Sequence, residues 1–261
     1  MTNKNDPAVD QEQTFLEHLV ELRSRLLKAC VAVLIALVAL LPFARQLYAL
    51  LAAPLTAHLP EGSSMIAIDV ASPFLTPFKL CLLLAFIVAI PAVLYQLWAF
   101  VAPALYRHEK RLARPLLYTS VILFYAGCAF AYFVVFPLVF GFFTRVAPAG
   151  VAVMTDISKY LDFVMTLFLA FGITFEVPIA TIILVATGIT TVKQLVSWRG
   201  YILVGAFALG MILTPPDVIS QTLLAVPMWL LFELGVLMAR MLVPATDEDT
   251  ESEDRADQAN I

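Results

Sequence analysis

Among the ionisable residues of this sequence, Glu176 lies where a charge is least expected. It falls in FGITFEVP (residues 171–178), near the middle of an apolar run over residues 160–187 that is long enough to span a bilayer. Inserting a carboxylate at that depth costs at least ~2.5 kcal/mol, so such a group normally faces a cavity, a partner or water. Pro178 leaves the carbonyl of Thr174 without its helical donor and weakens the helix there. We therefore predict a polar functional site at Glu176, or else a hydrogen bond to a Thr or Tyr of a neighbouring helix.

A second group of charges lies near the N-terminus, in residues 14–25 (TFLEHLVELRSR). Thr14 and Glu17 fit a capping box, which predicts a helix that begins at Thr14. Apolar residues recur at helical spacing on one face, while Glu17, Glu21 and Arg25 line the other. Glu21 and Arg25 are spaced for an i,i+4 ion pair that contributes about 0.2–0.5 kcal/mol. The segment is predicted to be an amphipathic helix, and its charges alone indicate a solvated face.

Two further acids have simple structural interpretations. Glu109 lies among four basic residues in the connection at residues 103–115 (PALYRHEKRLARP), where it balances their charge. Glu233 lies in the last apolar run, two turns before Arg240. Because a long basic side chain can extend along a helix, we expect Arg240 to reach back toward Glu233.

No set of residues suggests catalysis or a cofactor. The histidines are His18, His58 and His108, and the cysteines are Cys30, Cys81 and Cys128. The histidines lie outside the apolar runs, so a serine protease within the membrane would have no general base. The cysteines lie inside apolar runs without CxxC spacing and are interpreted as small hydrophobic residues. With no GxxxxGK[ST] loop either, we predict no enzyme activity, no metal, no cofactor and no nucleic-acid binding.

The composition requires a membrane. Hydrophobic residues make up 61% of the chain, charged residues only 14%, and the mean hydropathy is +0.90. This excess of apolar surface predicts an all-α integral membrane protein with six transmembrane helices. The predicted spans are residues 26–44, 77–102, 116–143, 160–187, 200–213 and 222–239. The last two runs are short and separated by a two-proline turn, so four spans plus a re-entrant hairpin is the alternative.

The basic residues predict the orientation of the chain. Lys and Arg concentrate in the N-terminal segment, in alternate connections and after the last run, whereas the other connections hold only Arg45, Arg145 and Lys159, with Lys79 near the second span. The positive-inside rule therefore places both termini in the cytoplasm. The chain divides into a cytoplasmic amphipathic segment (1–25), a membrane domain (26–243) and an acidic tail (244–261). Like charges in the tail predict disorder.

Prolines indicate the shape of the bundle. Pro91, Pro137, Pro178 and Pro227 lie within or near four of the spans, and each removes a backbone donor and bends its helix. Bent helices favour a curved, concave bundle. The first outer connection, residues 45–76, is long and is predicted to include a short helix over residues 46–53.

Five motifs in order resemble the TatC family of twin-arginine protein translocases, over about residues 12–243. They are FLEHLVELRSR (15–25), VASPFLTPFK (70–79), YQLWAFVAPALYRHEKR (95–111), FGITFEVP (171–178) and LTPPDVISQ (213–221). The sequence is most similar to the proteobacterial members, which are multi-pass proteins of the inner membrane. Ser24 departs from the pattern, since many relatives have a base there.

The resemblance implies a function that spacing alone does not show. TatC proteins act with TatB in a multimeric receptor that binds the twin-arginine signal peptides of folded proteins. They then recruit TatA, and the proton-motive force drives export. By motif, Glu21 and Glu109 would bind the two signal arginines, and Phe100 and the N-terminal segment with Arg23 would frame that surface. Glu176 would be the buried polar site for a partner. The implied contacts to the partner helix are Met211, Thr214 and Gln221.

Two other classes of protein remain as alternatives. A secondary transporter could use Glu176 as a proton site, but it should show paired halves with broken helices, and the sequence shows no internal repeat. An enzyme is disfavoured because the sequence contains no catalytic pair.

Overall fold

The protein is all helical in its regular structure. The computed structural model describes the backbone of residues 7–56, 65–105, 113–146, 154–213 and 218–242, with side chains for 19–53, 65–100, 115–142, 154–213 and 218–242 except residue 220. In those ranges the helices are α1 (Pro7–Leu40), α2 (Ala44–Thr56), α3 (Ser72–Leu105), α4 (Ala113–Phe130), α5 (Phe136–Val146), α6 (Ile157–Thr174), α7 (Val177–Ala186), α8 (Val192–Ser197), α9 (Arg199–Leu213) and α10 (Val218–Leu242). A 3₁₀ turn (Leu41–Phe43) joins α1 to α2, and a π-helical segment (Ala131–Val135) joins α4 to α5.

Five helical stretches of the described chain are long and apolar enough to cross a membrane. They are Leu19–Ala53, Ser72–Phe100, Pro115–Phe142, Ile157–Ala186 and Gln221–Leu242. The shorter apolar helix α9 has 15 residues and is about 22 Å long. The predicted class, an all-α multi-pass membrane protein, is therefore confirmed. That α9 makes a sixth span, and that both termini are cytoplasmic, remain predictions.

Several helix ends differ from the predicted ones. Because α1 begins at Pro7, the predicted helix start at Thr14 is wrong. Proline is well tolerated in the first turn of a helix, and the residues between Pro7 and Thr14 include no helix breaker. The final helix, α10, extends beyond the predicted run at both ends, to 25 residues. The short helix expected within residues 46–53 lies inside α2.

The prolines interrupt some helices and not others. Near Pro178 the helix breaks, with α6 ending at Thr174 and α7 beginning at Val177. Pro137 lies just after the π-helical segment. By contrast, α3 continues through Pro91 and α10 through Pro227.

Aromatic residues fill the centre of the bundle between α4, α5 and α6. Phe136 contacts Phe168 edge-on with ring centroids 5.2 Å apart, and Phe130 contacts Phe171 at 5.5 Å. Phe136 and Phe171 are fully buried. Around this core, α1 packs against α3, and α10 packs against both α7 and α9. These contacts position the polar residues described below.

Polar contacts close one end of the bundle, where α3 and α6 begin. Ile66 forms an isolated bridge with Asp156, which also caps α6 by accepting a hydrogen bond from the Ser158 backbone at 3.3 Å. Lys79 Nζ donates to Asp162 Oδ1 at 3.2 Å, which ties α3 to α6. We call this the outer end, following the predicted orientation, and the opposite end the inner end.

Candidate functional site

Glu176 occupies the break between α6 and α7. Its backbone N–H bonds the carbonyl of Ile173 at 3.0 Å, and its side chain makes no capping bond to α7. The side chain is half-buried, and Glu176 Oε1 has no hydrogen-bond partner among the described residues. The helix is interrupted at the acid, as Pro178 predicts. At the break, one carboxylate oxygen of Glu176 is buried and has no hydrogen-bond partner among the described residues.

Three glycines allow neighbouring helices to approach this break closely. A Cβ on Gly127 of α4 would lie 2.6 Å from the Phe171 carbonyl oxygen, and one on Gly172 would lie 2.7 Å from the Phe124 ring. On the other side, a Cβ on Gly235 of α10 would lie 2.8 Å from the Cα of Pro178. Real Cβ atoms essentially never approach that closely, so only glycine fits. The break is therefore held between α4 and α10.

Two residues of the inner half form a buried polar contact beside Glu176. The indole N–H of Trp98 on α3 donates to the Ser120 hydroxyl of α4 at 3.2 Å. Ser120 is buried and lies close to the Glu176 carboxyl. The sequence predicted either a functional site at Glu176 or a bond to a Thr or Tyr of a neighbouring helix, and among the described residues Glu176 Oε1 accepts no hydrogen bond. Neither Ser120 nor Trp98 was predicted, because nothing in an apolar run marks which face points inward.

Glu21 and Phe100 lie at the same level of the bundle. The Cys81 thiol of α3 donates to the Leu40 carbonyl of α1 at 3.7 Å, and α1 packs along α3 in the opposite direction. Glu21 lies 19 residues before Leu40 and Phe100 lies 19 residues after Cys81, so each is about 28 Å from this contact. Both residues are therefore at the inner end.

The predicted ion pair between Glu21 and Arg25 on α1 is present. Arg25 Nε donates to Glu21 Oε1 at 2.9 Å, and both side chains are partly exposed. Arg23 is exposed on another side of the helix, two residues away from Glu21. Glu109, the second predicted carboxylate, lies outside the described residues. It follows the last residue of α3 by four residues in the sequence.

The predicted contacts to a partner helix lie in the α9–α10 hairpin. Met211 is exposed, and Gln221 Nε2 donates to the Phe207 carbonyl at 2.8 Å. This hydrogen bond from the Gln221 amide joins α10 to α9 within the hairpin. Thr214 lies outside the described residues. Gln221 is far from Glu176 along the bundle, because it precedes Gly235, the residue level with Pro178, by 14 residues or about 21 Å.

The predicted contact between Glu233 and Arg240 is wrong. Arg199, the first residue of α9, donates to Glu233 Oε2 at 2.7 Å. Arg240 lies in the last turn of α10 and is exposed. The spacing along α10 suggested Arg240 as the partner of Glu233. The neighbouring helix α9 instead supplies Arg199, which forms the ion pair.

In the described part of the chain, no group of three or more His, Cys, Asp or Glu side chains could hold a metal ion. Among the described residues, the arrangement has the Glu21 carboxylate at the inner end and one half-buried acid, Glu176, at a helix break.

Known proteins resemble this chain over nearly its whole length. Residues 17–227 match the family described as Sec-independent protein translocase protein (TatC). The TatC protein of Azotobacter chroococcum is 62% identical over 230 residues, covering 88% of this chain and 90% of that protein. The Haemophilus influenzae protein is 59% identical over 240 residues, or 92% of this chain and 94% of that one.

A solved structure is also similar. A crystal structure of the twin-arginine translocase receptor TatC superposes with a TM-score of 0.77 at 39% identity, covering 86% of this chain and 98% of that one. A second structure, in DDM, gives a TM-score of 0.78 at the same 39% identity. The motifs, the helical architecture and these matches agree, and the chain belongs to the TatC family of Sec-independent protein translocase proteins.

Proposed function

We propose that this subunit of the twin-arginine translocase is the one that binds twin-arginine signal peptides of folded proteins. It acts in the inner membrane, with both termini in the cytoplasm, as part of a multimeric receptor with TatB. It then recruits TatA, and the proton-motive force drives export. Membership of the TatC family favours this function over the small-solute transporter and the enzyme.

The proposal rests on one observation: Glu21 and Phe100 lie at the same end of the bundle. The carboxylate and the aromatic ring are both about 28 Å from the Leu40–Cys81 contact, at the end where α3 leads into the segment with Glu109. Under the predicted orientation this end faces the cytoplasm, where an unexported protein is met. Two carboxylates and an aromatic ring suit a peptide that carries two arginines and an apolar stretch.

Arginine recognition follows from the shape of its side chain. A guanidinium presents a planar fork that binds a carboxylate through two parallel hydrogen bonds, whereas a lysine ammonium is a point charge. Two such forks need two carboxylates, for which Glu21 and Glu109 are the candidates. Glu21 already accepts from Arg25 within α1. A signal arginine must therefore share or replace that contact.

The test compares signal peptides that carry Arg-Arg or Lys-Lys. Glu21→Gln and Glu109→Gln should each weaken binding of the Arg-Arg peptide more than the Lys-Lys peptide. Exposed ion pairs contribute about 0.2–1 kcal/mol and partly shielded bonds to charge about 1.5–3 kcal/mol. At ~1.4 kcal/mol per decade, the double variant should bind the Arg-Arg peptide about 10- to 100-fold more weakly.

Two controls sharpen this experiment. Asp69→Asn removes an exposed carboxylate at the outer end and should leave both affinities unchanged. Arg25→Gln removes the internal competitor for Glu21 and should strengthen Arg-Arg binding. If the double Glu variant keeps the parent's preference for Arg-Arg, these carboxylates are not the readers of the signal.

The partner sites are proposed at two depths. Glu176 meets a polar group of a partner helix near the inner half of the membrane. Met211, Thr214 and Gln221 contact a partner helix at the α9–α10 turn. Support comes from the position of Glu176 at the break between α6 and α7 and from the exposure of Met211.

A further inference from the structure

A groove lies along the side of α1 that faces away from α3. Helix α1 packs against α3 through the buried Leu37, with Val33 and Ala36 beside it. The groove on the opposite side has a volume of about 510 Å³. In the described part of the chain it is lined by Val20, Arg23, Ser24, Leu27, Lys28 and Val31. All six residues are exposed, so this side of α1 is open to the surroundings of the protein.

Two of the lining residues are cations without a protein partner. The side chains of Arg23 and Lys28 form no ion pair or hydrogen bond among the described residues, whereas Arg25 is paired with Glu21. Arg23 and Lys28 are five residues apart, or about 7.5 Å along the helix, which two long basic side chains can bridge. The Ser24 hydroxyl between them in the sequence is a further donor. None of the six lining residues is acidic, so the groove suits an anion.

The two cations lie at the inner boundary of the membrane. The first predicted span covers residues 26–44, so Lys28 lies about 3 Å inside its inner limit and Arg23 about 4.5 Å outside it. A basic side chain at this depth extends its charge toward the lipid headgroups. The anions at that level are lipid phosphates, and the negatively charged lipids of a cytoplasmic leaflet attract basic residues beside a span.

An apolar surface continues from the groove toward the centre of the bilayer. It consists of Leu27, Val31, Leu34, Ile35 and Val38, whose exposed fractions are 52–68%. From Leu27 to Val38 the surface is about 16 Å long, close to the ~15 Å of hydrocarbon in one leaflet. Cations at one end and an apolar surface of this length match a phosphate that carries an acyl chain.

We propose that this side of α1 binds an anionic phospholipid of the inner leaflet, with its phosphate held by Arg23 and Lys28 and an acyl chain along the apolar surface. A zwitterionic lipid is held less tightly, because its headgroup brings its own cation to the groove. The inference goes beyond the proposed function, in which Glu21 and Phe100 contact a different ligand. Arg23 also belongs to the proposed frame of the signal surface, so Lys28, which does not, is the main position tested.

The first test measures lipid affinity on the purified full chain in nonionic detergent. Phosphatidylglycerol and phosphatidylcholine with the same acyl chains are titrated in turn, and native mass spectrometry measures the bound lipid. Lys28→Gln should weaken phosphatidylglycerol binding about fivefold, the effect of one basic residue near an anionic membrane surface, and Lys28→Arg should not. Arg23→Gln with Lys28→Gln should weaken it about 25-fold if the two contacts add. Phosphatidylcholine binding should be weaker in the parent and should change little in these variants.

Three outcomes of this titration would overturn the proposal. The first is equal affinity of the parent for the two lipids, and the second is unchanged phosphatidylglycerol binding by the double variant. The third concerns the controls Arg25→Gln and Arg240→Gln, which remove the same charge from the paired base on α1 and from an exposed base on α10. Both controls should bind phosphatidylglycerol as the parent does. If they weaken binding as much as Lys28→Gln, the lipid responds to net charge and not to this groove.

The second test identifies what covers this side of α1 in the membrane. A photoreactive amino acid at Val31, introduced into the full chain in cells, should capture a lipid, which adds the mass of one lipid to the protein. Capture of a second copy of this chain, or of a single-span partner helix, would show that protein covers this face and would overturn the proposal. Both tests are made without a signal peptide, so their results do not depend on the proposed function.

Discussion

The Tyr125 hydroxyl of α4 donates a 3.1 Å hydrogen bond to the backbone carbonyl of Ile87 on α3. Ile87 is four residues before Pro91, so its carbonyl lacks a helical donor. The same arrangement recurs on α2, where Tyr132 donates at 3.2 Å to the carbonyl of Leu50, four residues before Pro54. Tyrosines of neighbouring segments thus satisfy carbonyls that prolines leave open, in helices that continue through those prolines.

This relationship predicts a coupling between Tyr125 and Pro91. Tyr125→Phe should lower the free energy of unfolding by about 0.5–2 kcal/mol, the range for hydrogen bonds between transmembrane helices. Pro91→Ala restores the N–H that the Ile87 carbonyl lacks, so Tyr125→Phe should cost less in that background. Reversible unfolding in mixed detergent measures all four proteins. Equal costs in both backgrounds would show that the tyrosine does not serve this carbonyl.

The bond between Arg199 and Glu233 predicts the stability of the α9–α10 hairpin. Arg199→Gln should destabilise the protein by about 1.5–3 kcal/mol, because it leaves the partly buried Glu233 carboxylate without its charged partner. Glu233→Gln should cost less, since a neutral amide needs no counter-charge. Arg240→Gln is the control and should be nearly neutral. The same unfolding assay applies, and an Arg240→Gln cost equal to that of Arg199→Gln would contradict the assignment.

The close approach of helices at the glycines around the helix break predicts how alanine substitutions there change the free energy of unfolding. Gly127→Ala and Gly235→Ala place a methyl group against backbone atoms at 2.6 and 2.8 Å, so each should cost about 1–3 kcal/mol through forced movement of α4 or α10. Gly200→Ala and Gly205→Ala are matched controls, since a Cβ there meets nothing within 4 Å. Both lie in α9, where alanine should be neutral or stabilising. Similar costs at all four positions would show that the close approaches do not matter.

The sequence predicted the elements better than their contacts. Bilayer thickness fixes how many apolar residues a span needs, so the four long runs were found from length alone. The sequence did not distinguish Pro178, where the helix breaks, from Pro91, where it continues. Near Pro91 the hydroxyl of a tyrosine 34 residues further along the chain donates to the open backbone carbonyl. Glu176 was found because an acid in an apolar run is rare. Ser120, Trp98 and Arg199 were missed because their partners lie on other helices.

The orientation predicts which exposed positions face outward. In a background without Cys30, Cys81 and Cys128, single cysteines at Ile68 and Met154 should react with an impermeant thiol reagent added to intact cells. A cysteine at Ile189 should react only after the membrane is permeabilised. All three native side chains are exposed, so the membrane and not burial decides the result.

The same experiment decides whether α9 spans the membrane. Ile189 precedes α9 and Val218 follows it, and the Val218 side chain is also exposed. If α9 crosses, a cysteine at Val218 reacts from outside while one at Ile189 does not. Equal accessibility of the two would support the re-entrant hairpin, in which four spans leave both termini on the same side of the membrane.

The last prediction concerns Glu176→Leu. Removing the carboxylate removes an insertion cost of at least ~2.5 kcal/mol and also removes a buried oxygen that has no bonding partner. The variant should therefore insert and unfold at least as favourably as the parent, and it should still bind the signal peptide, because Glu21 and Phe100 are unchanged. Export should nevertheless fail, since a leucine offers no acceptor to a polar group of the partner helix. Glu176→Gln keeps an acceptor for that polar group and should retain partial export. Unfolding in mixed detergent, peptide affinity and export of a folded passenger are measured on the same preparations. Full export by Glu176→Leu would mean that this acid is a tolerated structural residue of the helix break and not a site of assembly.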